Sequence, residues 1–226
     1  MAASAADSPT VVLAGASGLI GRALLDLLLA RGRNDRIAVL ARRPLASARS
    51  DPRLSVRTGE LAALAAEVRG VRDVYIALGT TIKVAGSEAA FRAVDFDLVV
   101  GVARAAHSAG AKRLAVVSAL GANARSAIFY NRVKGEAEDA LKTLGYESLV
   151  IAQPSLLIGD RTALGQPTRS GELFAARFFA PVMSWIPAGV RPIEAATVAK
   201  AMVAALEQAT PGTRVLSSAE MQRLGR

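Results

Sequence analysis

Apolar residues along this chain fall into two alternating patterns, short continuous runs and longer stretches with helical spacing, and the two take turns from end to end. The run Val11-Val12-Leu13 reads as a buried strand, Gly15, Gly18 and Gly21 punctuate its exit, and the apolar residues of RALLDLLLARG then recur with a helical period. Arg36 to Leu40 (RIAVL) predicts a second strand. Leu54 to Arg57 predicts a weaker third, followed by a helix at about residues 61 to 68. Asp73 to Leu78 (DVYIAL) and Arg113 to Ser118 (RLAVVS) predict further buried strands, and Ser87 to Ala109, with Phe91, Val94, Leu98, Val99 and Val102, predicts the helix between them. The segment FYNRVKGEAEDALKTLG is strongly helical and leads into the strand LVIAQPS.

The last third changes character. Thr162 to Gly171 is polar, with Gly165 and Pro167, and predicts a loop able to fold over a substrate. Leu173 to Ile186 carries Phe174, Phe178, Phe179, Met183 and Trp185, which suit a core helix first and an apolar substrate wall, a dimer contact or a membrane-surface contact second. Ala195 to Leu206 predicts a helix, Thr213 to Leu216 a short strand and Ala219 to Arg226 a terminal helix.

The order strand, glycine turn, helix at Thr10 to Gly21 has a chemical purpose. Gly15 lets the chain turn sharply, Gly18 lets a ligand's phosphates approach the backbone, and Gly21 lets the helix sit close on the strand. The helix N-terminus then offers unpaired N–H groups and partial positive charge to a pyrophosphate. With strands and helices in alternation, this predicts an α/β, Rossmann-type, doubly wound parallel sheet with a small C-terminal substrate-side region. The 226 residues, 52% of them hydrophobic, suffice for one sizeable core. The expected organisation is therefore a single NAD(P)-binding domain over residues 1–226, with residues 1–9 a flexible N-terminus and about 160–195 a substrate-side insertion.

The second strand ends in Ala41-Arg42-Arg43-Pro44, where this fold meets the adenosine ribose. Two arginines and no acid there suit a 2′-phosphate, so NADP(H) is expected to be preferred over NAD(H). Glu60, beside Leu61, either approaches the adenine or serves as a first-turn acid for its helix. Gly79 and Thr80 follow the fourth strand and fall beside the cofactor.

Tyr130 and Lys134 are four apart on one helical face. With three tyrosines and five lysines in 226 residues, chance supplies such a pair about 0.07 times per sequence. A phenol carries protons poorly at neutral pH unless a nearby ammonium favours its phenolate, and Lys134 supplies that field. Ser118, at a strand end, would donate a hydrogen bond to a substrate oxygen, Tyr130 would give it a proton, and Lys134 would hold the nicotinamide ribose. Asp95 is assigned no chemistry beyond capping or orienting a neighbour.

Composition narrows the alternatives. The absence of cysteine excludes thiolate chemistry and disulfides, and the single histidine, His107, near a helix end, suits a capping or surface role, so no metal site is expected. The net charge of +9 comes from 28 basic residues scattered without a basic block, with only 4% aromatics, so nucleic acid is not an expected partner. MAASAADSPT lacks the features of a secretory signal, and the most membrane-like stretch, FFAPVMSWIPAGV, is broken by Pro181 and Pro187. A cytoplasmic protein without a membrane span is expected, acting on a small-molecule substrate, with a homo-oligomer or protein partner left open.

The motifs GASGLIG, strand-end Ser118 and YNRVKGEAE resemble the short-chain dehydrogenase/reductase superfamily over most of the chain. ALGTT and QPSLLIGDR are similar to its atypical group, which includes the Tat-interacting oxidoreductase-like proteins. The resemblance implies a Rossmann domain that usually takes NADPH. It carries over Gly15, Ser17, Gly18, Leu19 and Ile20 to the pyrophosphate, Arg42 and Arg43 to the 2′-phosphate, Gly79 to the cofactor, and Ser118, Tyr130 and Lys134 to catalysis. Gln153, Pro154 and Ser155 would flank the nicotinamide. The asparagine that completes the tetrad in many of these enzymes has no clear counterpart between Ser87 and Ala109. Two readings follow: an NADP(H)-dependent oxidoreductase acting on a small carbonyl or alcohol, or an NADPH-binding regulatory or redox-sensing protein without turnover.

Overall fold

A computed structural model describes residues 8–33, 35–45, 50–158, 187 and 189–225. The strands β1 (Thr10–Ala14), β2 (Arg36–Ala41), β3 (Leu54–Thr58), β4 (Val71–Ile76), β5 (Arg113–Val117), β6 (Ser148–Gln153) and β9 (Gly212–Ser217) form one sheet in the order β3-β2-β1-β4-β5-β6-β9. Every pairing in it is parallel. The chain starts at β1, builds outward through β2 and β3, and returns past β1 to add β4, β5 and β6. This is the doubly wound order, and the reversal lies between β1 and its neighbour β4.

Helices cover both faces, which is why the strands read as nearly unbroken apolar runs. On one face Val11 and Leu13 pack with α1 (Leu19–Ala30), α7 (Ala195–Glu207) and α8 (Ser218–Leu224), through Leu24, Val198, Met202 and Met221. On the other, Val12 and Ala14 pack with α2 (Leu61–Glu67), α5 (Val99–Ser108) and α6 (Phe129–Lys142). Adjacent residues of one strand thus serve opposite layers, as the pleat requires. A second, two-stranded parallel pair, β7 (Leu157–Ile158) with β8 (Ile193–Glu194), has no sequence signal beyond its short apolar character.

The expected helix from Ser87 to Ala109 is interrupted. It begins as α4 (Glu88–Arg92), capped by Ser87, widens into a π-helical stretch at Ala93–Leu98, and resumes as α5; the short α3 (Ile82–Ala85) precedes it. Such widened turns re-aim side chains and recur at functional sites.

Part of the positive charge is spent at the amino ends of the strands. Arg72 makes a two-pronged contact with Asp35 at 2.7 and 2.9 Å and also reaches Asp73, which Arg113 holds from the other side. His107 lies edge-on to Tyr146, ring centroids 4.9 Å apart, a packing role. Among the described residues no helix is long and apolar enough to cross a membrane, and no cluster of residues is suited to hold a metal ion. The expected loop at Thr162 to Gly171, the aromatic segment from Leu173 to Ile186 and most of the expected flexible N-terminus lie outside the described residues.

Candidate functional site

The carboxyl ends of the parallel strands bring the sequence-expected positions to one edge of the sheet. Across it, in spatial order, stand Arg42 and Arg43 after β2, Gly15 after β1, Gly79 and Thr80 after β4, Ser118 after β5, and Gln153 closing β6 with Pro154 and Ser155 behind it. None of these groups is a sequence neighbour of the next. The sheet order assembles them.

The glycine turn separates structural from open positions. Gly15 has φ +95°, and a Cβ there would lie 2.5 Å from the Ala77 carbonyl oxygen at the end of β4. A Cβ on Gly21 would lie 2.0 Å from the Gly15 carbonyl oxygen, so Gly21 is required by the helix folding back over the turn more than by contact with the strand. Gly18 differs: its φ is −87°, and a Cβ would meet nothing closer than 3.5 Å. Neither conformation nor packing within the chain demands glycine there. What it preserves is bare backbone at the N-terminus of α1, a helix with no side-chain cap and no acid in its first turn. An uncapped amide cluster beside an open glycine fits a phosphate. Ser17 is exposed on this turn, Leu19 opens the helix, and Ile20 is buried beneath it.

Arg42 and Arg43 are exposed just past β2, and neither is paired with an acid among the described residues. Glu60 caps α2: its carboxylate accepts from the backbone N–H of Ala62 at 3.0 Å and of Ala63 at 2.6 Å. Those donors hold it below the usual carboxylate range. Leu61 is buried in the core. Of the two roles weighed for Glu60, its side chain performs the helix-terminal one.

The opposite wall of the site is α6. Lys134 is buried on it, with its Nζ 2.7 Å from Asp95 Oδ1, and the two side chains are 6% and 0% exposed. Asp95 Oδ2 accepts the backbone N–H of Thr80 at 2.9 Å. Gly79 lies directly over this pair, since a Cβ there would sit 3.3 Å from Asp95 Oδ1 and 3.7 Å from Lys134 Nζ. Asp95, left without chemistry by the sequence reading, is therefore the partner of Lys134, supplied by the very helix in which no counterpart to the asparagine was found.

Tyr130, one turn before Lys134, is half-buried, its ring 5.2 Å from that of Phe91 and tilted by 37°. Gly135 lets α6 lie against the loop after β5, where a Cβ would come within 2.1 Å of the Ala124 nitrogen. Ser118 and Lys134, with Asp95 and Glu138, line one small cavity that apolar neighbours such as Val99 and Leu141 also border.

Three of the expected site residues have hydrogen-bond partners within the chain. Ser118 gives its hydroxyl hydrogen to Glu138, a buried carboxylate that closes the YNRVKGEAE motif and to which the sequence assigned no role. Gln153 donates to both oxygens of Glu138, at 2.9 and 3.1 Å. Ser155 donates to the Arg191 carbonyl and meets Ser218 Oγ at 2.9 Å, fastening the end of β6 to the C-terminal elements. Pro154 is buried, and its carbonyl accepts the Leu120 N–H at 3.0 Å. Asp95 sat in an apolar helical stripe between Phe91 and Val99, whereas Glu138 has Lys134 and Lys142 four residues to either side. A charge in an apolar stripe was the signal that could have found Asp95; Glu138 carried no such mark.

The family model described as NAD(P)H-binding matches residues 15–209, from the glycine turn through α7. The chain belongs to this NAD(P)H-binding family. Membership agrees with the short-chain dehydrogenase/reductase resemblance read from the motifs. The chain is 34% identical over 188 residues to "Protein fmp52, mitochondrial" of Emericella nidulans, covering 80% of this chain and 78% of that protein. It is 31% identical over 225 residues to "Protein fmp52-1, mitochondrial" of Aspergillus terreus, covering 96% and 95%. Among solved structures it resembles MoeE5 in complex with UDP-glucose and NAD, with a TM-score of 0.67 at 17% identity over 92% of this chain and 75% of that one. That likeness establishes the shared α/β fold. The relatives' names are mitochondrial, and this overturns the cytoplasmic location expected from an N-terminus without a secretory signal, a feature that speaks only to secretion.

Proposed function

We propose that this member of the NAD(P)H-binding family is an NADP(H)-dependent oxidoreductase that transfers hydride to or from a small carbonyl or alcohol. The observation that carries the reading is the placement of Lys134, buried on α6 against the Gly79–Thr80 turn, one turn from Tyr130 and lining the same cavity as Ser118. The uncapped amides at the start of α1, just after Gly18, would hold the pyrophosphate, Arg42 and Arg43 the 2′-phosphate, and Lys134 the nicotinamide ribose. The bound nicotinamide supplies or accepts the hydride. In the reductive direction Tyr130 gives its phenolic proton to the substrate oxygen as charge builds there, and Lys134 stabilises the phenolate left behind. Ser118, its rotor fixed by Glu138, sets the floor against which that oxygen rests. The mitochondrial names of the relatives suggest a mitochondrial setting.

A regulatory, cofactor-sensing role without turnover draws support from one observation: Ser118 already donates to Glu138, and Lys134 is already paired with Asp95. Tyr130→Phe separates the two readings. Assayed as NADPH consumption against a panel of small carbonyls, the variant should lose turnover by about 10²- to 10⁴-fold, with NADPH affinity within about twofold of wild type. A variant that turns over like wild type removes Tyr130 from the chemistry, and a wild type that consumes no NADPH with any carbonyl favours the sensing role.

A further inference from the structure

We propose that Asp95 is a positioning residue for the nicotinamide half of the site, holding the Lys134 ammonium and the Gly79–Thr80 turn as one unit through its two carboxylate oxygens. The inference rests on the cofactor reading above and adds to it the residue that couples its two walls.

The geometry is specific to a carboxylate. One oxygen of Asp95 lies 2.7 Å from the Lys134 Nζ as an ion pair, the other accepts the Thr80 N–H at 2.9 Å, and the side chain is fully enclosed. A buried ammonium and a part-buried backbone donor both need an acceptor, and leaving either unmet is costly. An asparagine has the same shape but only one acceptor oxygen, and its amide hydrogens would face an ammonium that has only hydrogens to offer. It can serve Thr80 or Lys134, not both. The π-helical stretch Ala93–Leu98 carries Asp95, so the widened turn brings the carboxylate between α6 and the end of β4. Gly79 completes the unit: its bare Cα lies over the ion pair, where even a methyl group would crowd Asp95. Lys134 is held against Asp95 as an ion pair, and its ammonium hydrogens would meet the ribose hydroxyls. A shift of Asp95 would therefore move a side chain and a backbone turn that meet the same end of the dinucleotide.

The test is calorimetric titration of the full chain, wild type and Asp95→Asn, with NADPH, with NADH and with ADP, which carries only the adenosine half. Asp95→Asn should weaken the dinucleotide that wild type prefers by about tenfold or more, with ADP affinity within about twofold of wild type. Lys134→Met should weaken the dinucleotide similarly, and the double variant should lose little more than either single one, because the two residues act together. Lys134→Met should also speed hydrogen exchange at the Thr80 amide, a readout that survives if Asp95→Asn fails to fold. Asp95→Asn binding like wild type, equal losses for dinucleotide and ADP, fully additive losses, or an unchanged Thr80 amide would each overturn the unit. A wild type that binds none of the three ligands would overturn the cofactor reading itself, and this inference with it.

Discussion

Ser118, at the end of β5, gives its hydroxyl hydrogen to Glu138 on α6, and Gln153, at the end of β6, donates to both oxygens of the same carboxylate. One buried side chain thereby ties two strand ends to the helix that carries Tyr130 and Lys134. Glu138→Ala strands a buried hydroxyl and an amide, and should cost about 2 to 4 kcal/mol in urea unfolding. Glu138→Gln keeps one acceptor and should cost roughly half as much. Equal stability of Glu138→Ala and wild type would mean that the network does not hold these elements together.

The three glycines of the first turn should respond differently to alanine. Gly15→Ala meets a left-handed φ and the Ala77 carbonyl, and Gly21→Ala meets the Gly15 carbonyl, so each should lose more than about 2 kcal/mol of stability. Gly18→Ala meets neither obstacle and should stay within about 0.5 kcal/mol of wild type. Its loss should be in dinucleotide affinity, where the added methyl blocks close approach of a phosphate. Undiminished binding by Gly18→Ala would place the pyrophosphate elsewhere.

The exposed pair after β2 sets the cofactor preference in the proposed function. Arg42→Ala with Arg43→Ala should reduce NADPH affinity by about 10- to 100-fold and leave NADH affinity nearly unchanged. The advantage of NADPH in wild type should also shrink as salt rises, since both guanidinium groups face solvent. A double variant that still prefers NADPH as strongly as wild type would clear both arginines of that role.

Burial pushes the phenols of Tyr75 and Tyr146 well above the ordinary tyrosine range, with the Asp73 charge adding to the effect at Tyr75. Both rings are therefore kept neutral in the fold while an unfolded chain ionises them above about pH 10. The unfolded state then binds fewer protons, so stability should hold through neutral pH and fall above that point, by up to about 2.7 kcal/mol per pH unit for two groups. Tyr146→Phe also gives up the hydrogen bond to the Ala103 carbonyl at 2.7 Å. It should cost about 1 kcal/mol at neutral pH and halve the alkaline slope. Urea midpoints measured across this range check both statements, and a stability that stays flat far above pH 10 would contradict them.

The alternation of strand and helix, the glycine turn and the Tyr130–Lys134 pair were legible because each is written within a few residues of sequence. A buried strand needs only its own apolar run, a turn its own glycine, and a shared helical face a spacing of four. The widening at Ala93–Leu98 left no such mark, since the apolar spacing through it still reads as an ordinary helix. What lay beyond local reading is which residue answers which across the sheet. Asp95 meets Lys134 from 39 positions away, and Glu138 meets Ser118 and Gln153 from two different strands, only because β4, β5 and β6 lie side by side in that order. Asp95 stood out in sequence as a charge in an apolar stripe, and that alone says a partner is needed; Glu138, with lysines four residues to either side, did not. The sheet order decided the partner, because a buried carboxylate is stabilised by whichever donors the packed layers bring within reach, and those layers are set by the whole chain at once.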